Sequence, residues 1–195
     1  MTLTQGSVIC VTNGMTDPFR RIYFDTRVYI EYAERRSPIA EKIGQILSAY
    51  RQQEKRIVTS ELTLAETLVH PLRNALETGD YRLRDLYRAM LQADSKITDI
   101  QPVNRDMLEY AALIRAKLDY LAGLKIKLPD AIHLATAVLS GCDTLVSNDR
   151  QLGSAVRAVA TEIDFSPHGA STSLRYYVSF ADGELDRLIP EPGPT

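Results

Sequence analysis

Leu128-Pro129-Asp130-Ala131-Ile132-His133-Leu134-Ala135-Thr136-Ala137-Val138-Leu139-Ser140-Gly141-Cys142-Asp143-Thr144-Leu145-Val146-Ser147-Asn148-Asp149 is the stretch whose reading decides the fold. Pro129 suits the first turn of a helix, where its missing N–H costs nothing. Ile132, Leu134, Ala135, Val138 and Leu139 make that helix strongly apolar, and Gly141 is the residue type that closes one. Thr144-Leu145-Val146-Ser147 then reads as a strand without alternation, the pattern of a parallel strand covered on both faces. The strand runs straight into Asn148-Asp149. A helix feeding a strand that ends on an acid is one repeat of an α/β sheet.

The same grammar holds upstream. Ile22-Tyr23-Phe24 is a short apolar strand that stops at Asp25. A helical stretch over 28–34 follows, then Ser37-Pro38 as cap and first turn of a helix whose Ile39, Ile43, Ile46, Leu47 and Tyr50 share a face. Arg56-Ile57-Val58-Thr59 is a second strand, and Ser60 caps a helix carrying Leu62, Ala65, Glu66 and Val69. Pro71 is expected to bend or end it. Residues 81–92 form a helix with Leu83, Leu86, Tyr87 and Met90 inward, and 97–100 a third strand. Residues 104–121 form a long helix with Met107, Leu108, Ala111, Ile114 and Leu118 at core spacing. Beyond Asp149 a helix turn passes through Leu152, and a fifth, edge-like strand is expected within 156–163. Alternating strands and helices predict an α/β fold, a central parallel sheet flanked by helices on both faces.

The domain is expected to span 19–165. Residues 1–18, with an Asn13-Gly14 turn signal, read as an N-terminal extension. Residues 166–195, rich in Ser, Gly and Pro, read as a partly disordered C-terminal extension. Hydrophobic residues make up 45% of the 195 and charged residues 25%, a globular balance. No apolar run is long enough to span a membrane, and no secretory signal opens the chain. Cys10 and Cys142 are too few for a disulfide framework, and Cys142 reads as a small buried side chain. A cytoplasmic protein is expected. The net charge of −2 excludes nucleic-acid binding through a global positive field, so any such role needs local basic patches.

Ligands of an open parallel sheet bind beyond the carboxyl ends of its strands. Asp25 and Asp149 close two strands, Glu66 lies early in a helix that follows a strand, and Asp130 sits in the first turn of another helix. Each has a bland reading: Asp25 as helix cap, Glu66 as solvated residue, Asp130 as dipole partner, Asp149 as turn former. Gathered together they would repel unless a cation neutralised them. Mg²⁺ or Mn²⁺ prefers such oxygen donors and supports phosphodiester hydrolysis.

Ile22-Tyr23-Phe24-Asp25-Thr26, the segment 59–66 ending in Glu66, 128–137 around Asp130, and Leu145-Val146-Ser147-Asn148-Asp149 resemble, in order, the motifs of PIN-domain ribonucleases, and within them the VapC-like toxins of type II toxin–antitoxin systems. The resemblance covers about residues 22–163. It implies endonucleolytic RNA cleavage at one or two Mg²⁺ or Mn²⁺ ions. Asp25 and Asp149 would be direct metal ligands, Glu66 and Asp130 would complete the site, and Ser147 would supply the hydroxyl near the last acid. It also implies a homodimer and a cognate antitoxin covering the groove. Arg27 departs from the small polar residue usual there; it would either pair with an acid and compete with metal, or turn outward onto an RNA phosphate.

Lys125 and Lys127 are candidate RNA contacts with solvated loop charge as their bland reading, as it is for Arg82, Arg84 and Arg88. His133 is expected to pack near the core or support Asp130, and the histidines lack zinc spacing. The sequence has no GxxxxGK[ST], GxGxxG or GxSxG pattern. An aspartyl-nucleophile phosphatase would want an acid at Arg27. The competing reading is a fold of the same kind that binds RNA or protein without cleaving, kept open by Arg27; a DNA-directed nuclease is a lesser one.

Overall fold

The computed structural model describes residues 21–52, 56–92, 98–161 and 173–189. Five parallel strands form one sheet in the order β3-β2-β1-β4-β5: β1 (Arg21–Phe24), β2 (Arg56–Ser60), β3 (Thr98–Gln101), β4 (Thr144–Val146) and β5 (Tyr176–Val178). Among the described residues seven helices connect and cover them: α1 (Thr26–Glu34), α2 (Pro38–Gln52), α3 (Glu61–Thr78), α4 (Arg82–Met90), α5 (Arg105–Ala122), α6 (Leu128–Leu139) and α7 (Arg150–Thr161). None among the described residues is long and apolar enough to cross a membrane.

Successive side chains of the central strands face opposite sides, which divides the core in two. Tyr23, Val58 and Leu145 pack against α5, α6 and α7. Ile22, Phe24, Ile57, Val146 and Val178 pack against α1, α2, Tyr87 of α4, and a 3-10 turn, Leu185–Leu188. Burial on both faces is why these strands read as unbroken apolar runs. α6 lies deepest: Ala131 through Ala137 are all buried.

Caps set where elements begin and end. Asp25, Ser60 and Asn104 cap α1, α3 and α5 with side-chain oxygens. Gly79 and Gly123, at φ 75 and 63, end α3 and α5 in the left-handed region that favours glycine. Pro71 does not end its helix: α3 continues through it to Thr78, with Pro71 itself buried. Leu86 and Leu108, expected inward, are 43% and 44% exposed.

The fifth strand is the main correction. Residues 156–161 are the end of α7, with Leu152, Ala155, Val156 and Val159 buried at helical spacing. The edge strand is instead Tyr176–Val178, inside the segment expected to be an extension, and it pairs with β4 through Val146↔Val178. Leu174, Val178, Leu185 and Leu188 from that segment are core residues. Residues 1–20, including Asn13-Gly14 and Cys10, lie outside the described residues. Cys142 is fully buried, which pushes its thiol up to about 12.

Candidate active site

β1 leads outward on one side to β2 and β3, and on the other to β4 and β5, so strand order reverses between β1 and β4. A crevice opens at such a point beyond the carboxyl ends of the two strands. Asp25 follows β1 and Ser147 follows β4, in adjacent register after Phe24↔Val146.

Asp25 Oδ1 accepts the N–H groups of Arg27 at 2.9 Å and Val28 at 3.3 Å. Its Oδ2 accepts from the Ser147 hydroxyl. Ser147 Oγ accepts the Asp149 N–H at 3.0 Å, so one serine ties the two strand ends together. Asp149 Oδ1 caps α7, accepting from Gln151 at 2.8 Å and Leu152 at 3.1 Å. The cap reading of Asp25 and the turn reading of Asp149 are therefore both real, and both acids still stand at the rim. Burial pushes the Asp25 carboxyl up to about 6, against the opposing pull of the Ser147 hydrogen bond.

α6 runs into β4, which puts its first turn at the same rim. Asp130, partly buried there, is raised from its ordinary value by burial and then by the charge of Asp149. Two carboxylates are thus close enough to sense each other.

Glu66 comes from α3. Its Oε2 accepts from the Thr26 hydroxyl and from His133 Nε2, the latter at 3.0 Å. Burial raises Glu66, but the hydrogen bonds from His133 and Thr26 outweigh it, and the carboxyl sits below its usual range. His133 Nδ1 lies 2.6 Å from the buried Tyr23 hydroxyl. In the tautomer that directs Nε2–H at the carboxylate, Nδ1 accepts from the Tyr23 hydroxyl. His133 thus hydrogen-bonds Glu66 of α3 and Tyr23 of β1, while its influence on Asp130 is electrostatic and favours the charged carboxylate. Replacing His133 with Ala is expected to cost about 2–4 kcal/mol, because the Tyr23 hydroxyl loses its Nδ1 acceptor inside the core. Tyr23→Phe should cost about 1 kcal/mol. Urea denaturation of both variants and their double checks this; equal losses in the two single variants would refute the assignment.

Arg27 is exposed and makes no ion pair among the described residues. Lys125 and Lys127 are exposed beside the rim. Arg82 and Arg84 pair with Asp80 and Asp85 on the α4 side. Sequence reasoning missed Tyr177 of β5. Its hydroxyl reaches the carbonyls of Ser147 at 2.8 Å and Asp149 at 2.7 Å. The signal was Tyr176-Tyr177-Val178, a run of strand formers in a Ser-rich tail.

Among the described residues, no three His, Cys, Asp or Glu side chains converge closely enough to hold an ion between them. Mg²⁺, however, keeps several waters and takes one or two protein carboxylates. An all-oxygen set with Asp130 and Asp149 charge-coupled fits a hard divalent cation of that kind.

The PIN domain family model matches residues 22–157. Solved structures with the same fold include a DNA-bound VapBC from Salmonella typhimurium, 16% identical with a TM-score of 0.53, the match covering 82% of this chain and 98% of that one. The VapC20 toxin of Mycobacterium tuberculosis, which cleaves the sarcin–ricin loop, is 18% identical with a TM-score of 0.51, covering 69% and 94%. FitAcB from Neisseria gonorrhoeae is 24% identical with a TM-score of 0.50, covering 69% and 91%. No curated protein matches the chain.

Proposed function

The chain belongs to the PIN domain family, whose model matches well over half of it, and from that premise we propose that it is a metal-dependent endoribonuclease, the toxin of a toxin–antitoxin pair acting in the cytoplasm. The observation that carries the reading is the union of Asp25, Ser147 and Asp149 across the switch point, with Asp130 raised in part by the charge of Asp149.

Asp25 and Asp149 are the residues that would hold Mg²⁺ or Mn²⁺, with Glu66 and Asp130 completing the site directly or through waters. The ion supplies an activated water and charge stabilisation at the phosphodiester oxygens. The rest is the work of the chain. Ser147 and the Arg27 and Val28 amides fix the Asp25 carboxylate in one orientation. His133 and Thr26 hold Glu66 ionised and aimed. Arg27, Lys125 and Lys127, exposed around the rim, grip the RNA phosphates. A cognate antitoxin covers the groove, and two copies form the dimer; the VapBC likeness supports the antitoxin. The non-cleaving alternative depended on Arg27 pairing with the acids, and the outward course of that side chain favours cleavage.

The test is a mixed cellular RNA sample incubated with the purified protein in Mg²⁺, Mn²⁺ or EDTA, beside Asp25→Asn. Cleavage is expected in the metals and absent from EDTA and from the variant. Undiminished cleavage by Asp25→Asn sinks the reading. Silence in every metal, persisting in Arg27→Asn, replaces it with the binding module.

A further inference from the structure

Tyr177 has no place in the four-acid pattern, yet it touches the acidic loop from outside. It stands on β5, one strand beyond the switch point, and its hydroxyl meets two carbonyls, those of Ser147 at 2.8 Å and Asp149 at 2.7 Å. A hydroxyl has one hydrogen, so the two carbonyls share it and are drawn to one point. Those carbonyls flank Asn148, at the turn where the chain leaves β4 and enters α7.

The loop around it is built to receive the ring. Gly153, in the first turns of α7, is buried against Tyr177: a Cβ there would stand 2.7 Å from the ring. The absence of a side chain at 153 lets the ring lie flush on the helix with its hydroxyl beneath the loop. Gly153 N–H also bonds to the Asp149 carbonyl at 3.0 Å, so one oxygen receives both the helix and the tyrosine.

The turn it holds also carries the polar contacts of the site. Ser147 donates to Asp25, and Asp149 N–H donates to Ser147. A shift of the Ser147 or Asp149 backbone therefore moves one acid and loosens the other. We propose that Tyr177 is a positioning residue for the acidic centre: through the Ser147 and Asp149 carbonyls it sets the separation of Asp149 from Asp25. This rests on the metal-site reading above. It makes the C-terminal strand part of the site's machinery, although none of its residues faces the crevice as an acid.

The experiment is Mn²⁺ titration of the wild type, Tyr177→Phe and Gly153→Ala, followed by electron paramagnetic resonance, with amide hydrogen exchange on the metal-free proteins. Tyr177→Phe keeps the ring and its packing, so exchange in β1, α5 and α6 should match the wild type. Amides 148–153 should exchange faster, and Mn²⁺ affinity should fall about tenfold, the usual scale for losing an orienting hydrogen bond behind a ligand. Gly153→Ala, which displaces the ring without removing the hydroxyl, should move both readouts the same way. Wild-type Mn²⁺ affinity and unchanged loop exchange in Tyr177→Phe overturn the proposal while leaving the nuclease reading intact. A wild type that binds no Mn²⁺ fails at the earlier step and takes both down.

Discussion

A chain ended after Phe165 will be unfolded or aggregated at a temperature where the full chain is native. The cut removes Leu174, Val178, Leu185 and Leu188, all at most 4% exposed, from the two halves of the core. Burying one such side chain contributes roughly 1.5–3 kcal/mol, so the loss is several kcal/mol from a total that is typically about 5–15. It also uncovers β4. Ser147 N–H loses the Val178 carbonyl that it meets at 3.1 Å, and the Val146 side chain loses its cover. A three-residue apolar strand with an open edge invites pairing with another chain. Soluble yield and a urea midpoint measure this. A truncated protein that stays monomeric with the full chain's midpoint would show that the C-terminal strand is decoration. A gentler version, Val178→Asp, should lose about 3 kcal/mol or more by placing a charge in the core.

The tail was hard to read because its signals are short and its spacing is long. Three strand formers after a Ser- and Gly-rich stretch carry little weight beside a Pro-rich end, and parallel pairing with β4 depends on a crossover that no local pattern reveals. The misplaced strand has a different cause. Val156 and Val159 favour strands by type, but Leu152, Ala155, Val156 and Val159 repeat with the helical period, and period outranks propensity. Elsewhere local chemistry agreed with the fold. Ile22-Tyr23-Phe24 and Leu145-Val146 are apolar without alternation because helices cover both faces. Asp25, Ser60 and Asn104 sit where helices begin because their side chains satisfy the first N–H groups. The acids could be named from strand ends and helix starts. Their helpers could not: His133 reaches Glu66, and Tyr177 reaches Asp149, across contacts far apart in sequence.

Asp25→Asn should abolish cleavage and at the same time make the protein more stable, a pairing expected of a functional carboxylate and not of a structural one. For activity, the variant removes one of the two proposed metal ligands. Losing a mere supporting residue behind a metal costs about 10–100-fold, so a direct ligand should cost at least about a hundredfold in RNA cleavage. For stability, the sign follows from the raised carboxyl. Asp25 titrates near 6 in the folded protein because burial disfavours its charge, against about 3.9 in the unfolded chain. Below about pH 4 both states are protonated and the group is neutral in its effect. Between there and about 6 the folded state holds more protons, so wild-type stability falls as pH rises through this window. Above it the buried charge costs the metal-free fold up to about 3 kcal/mol. Asn can still accept the Arg27 and Val28 amides through its Oδ1, and its amide group donates to Ser147 Oγ in place of accepting. That exchange returns about 1 kcal/mol of the gain, since Ser147 loses a charged acceptor. Thermal or urea denaturation in EDTA should therefore show Asp25→Asn more stable than wild type by about 1–2 kcal/mol at pH 8 and equal to it or slightly weaker at pH 4. Added Mg²⁺ should then stabilise the wild type and not the variant, reversing the order as the ion binds the folded state alone. A variant weaker than wild type at pH 8 in EDTA would mean that the carboxylate is held chiefly as the α1 cap, and the metal would lose its principal anchor.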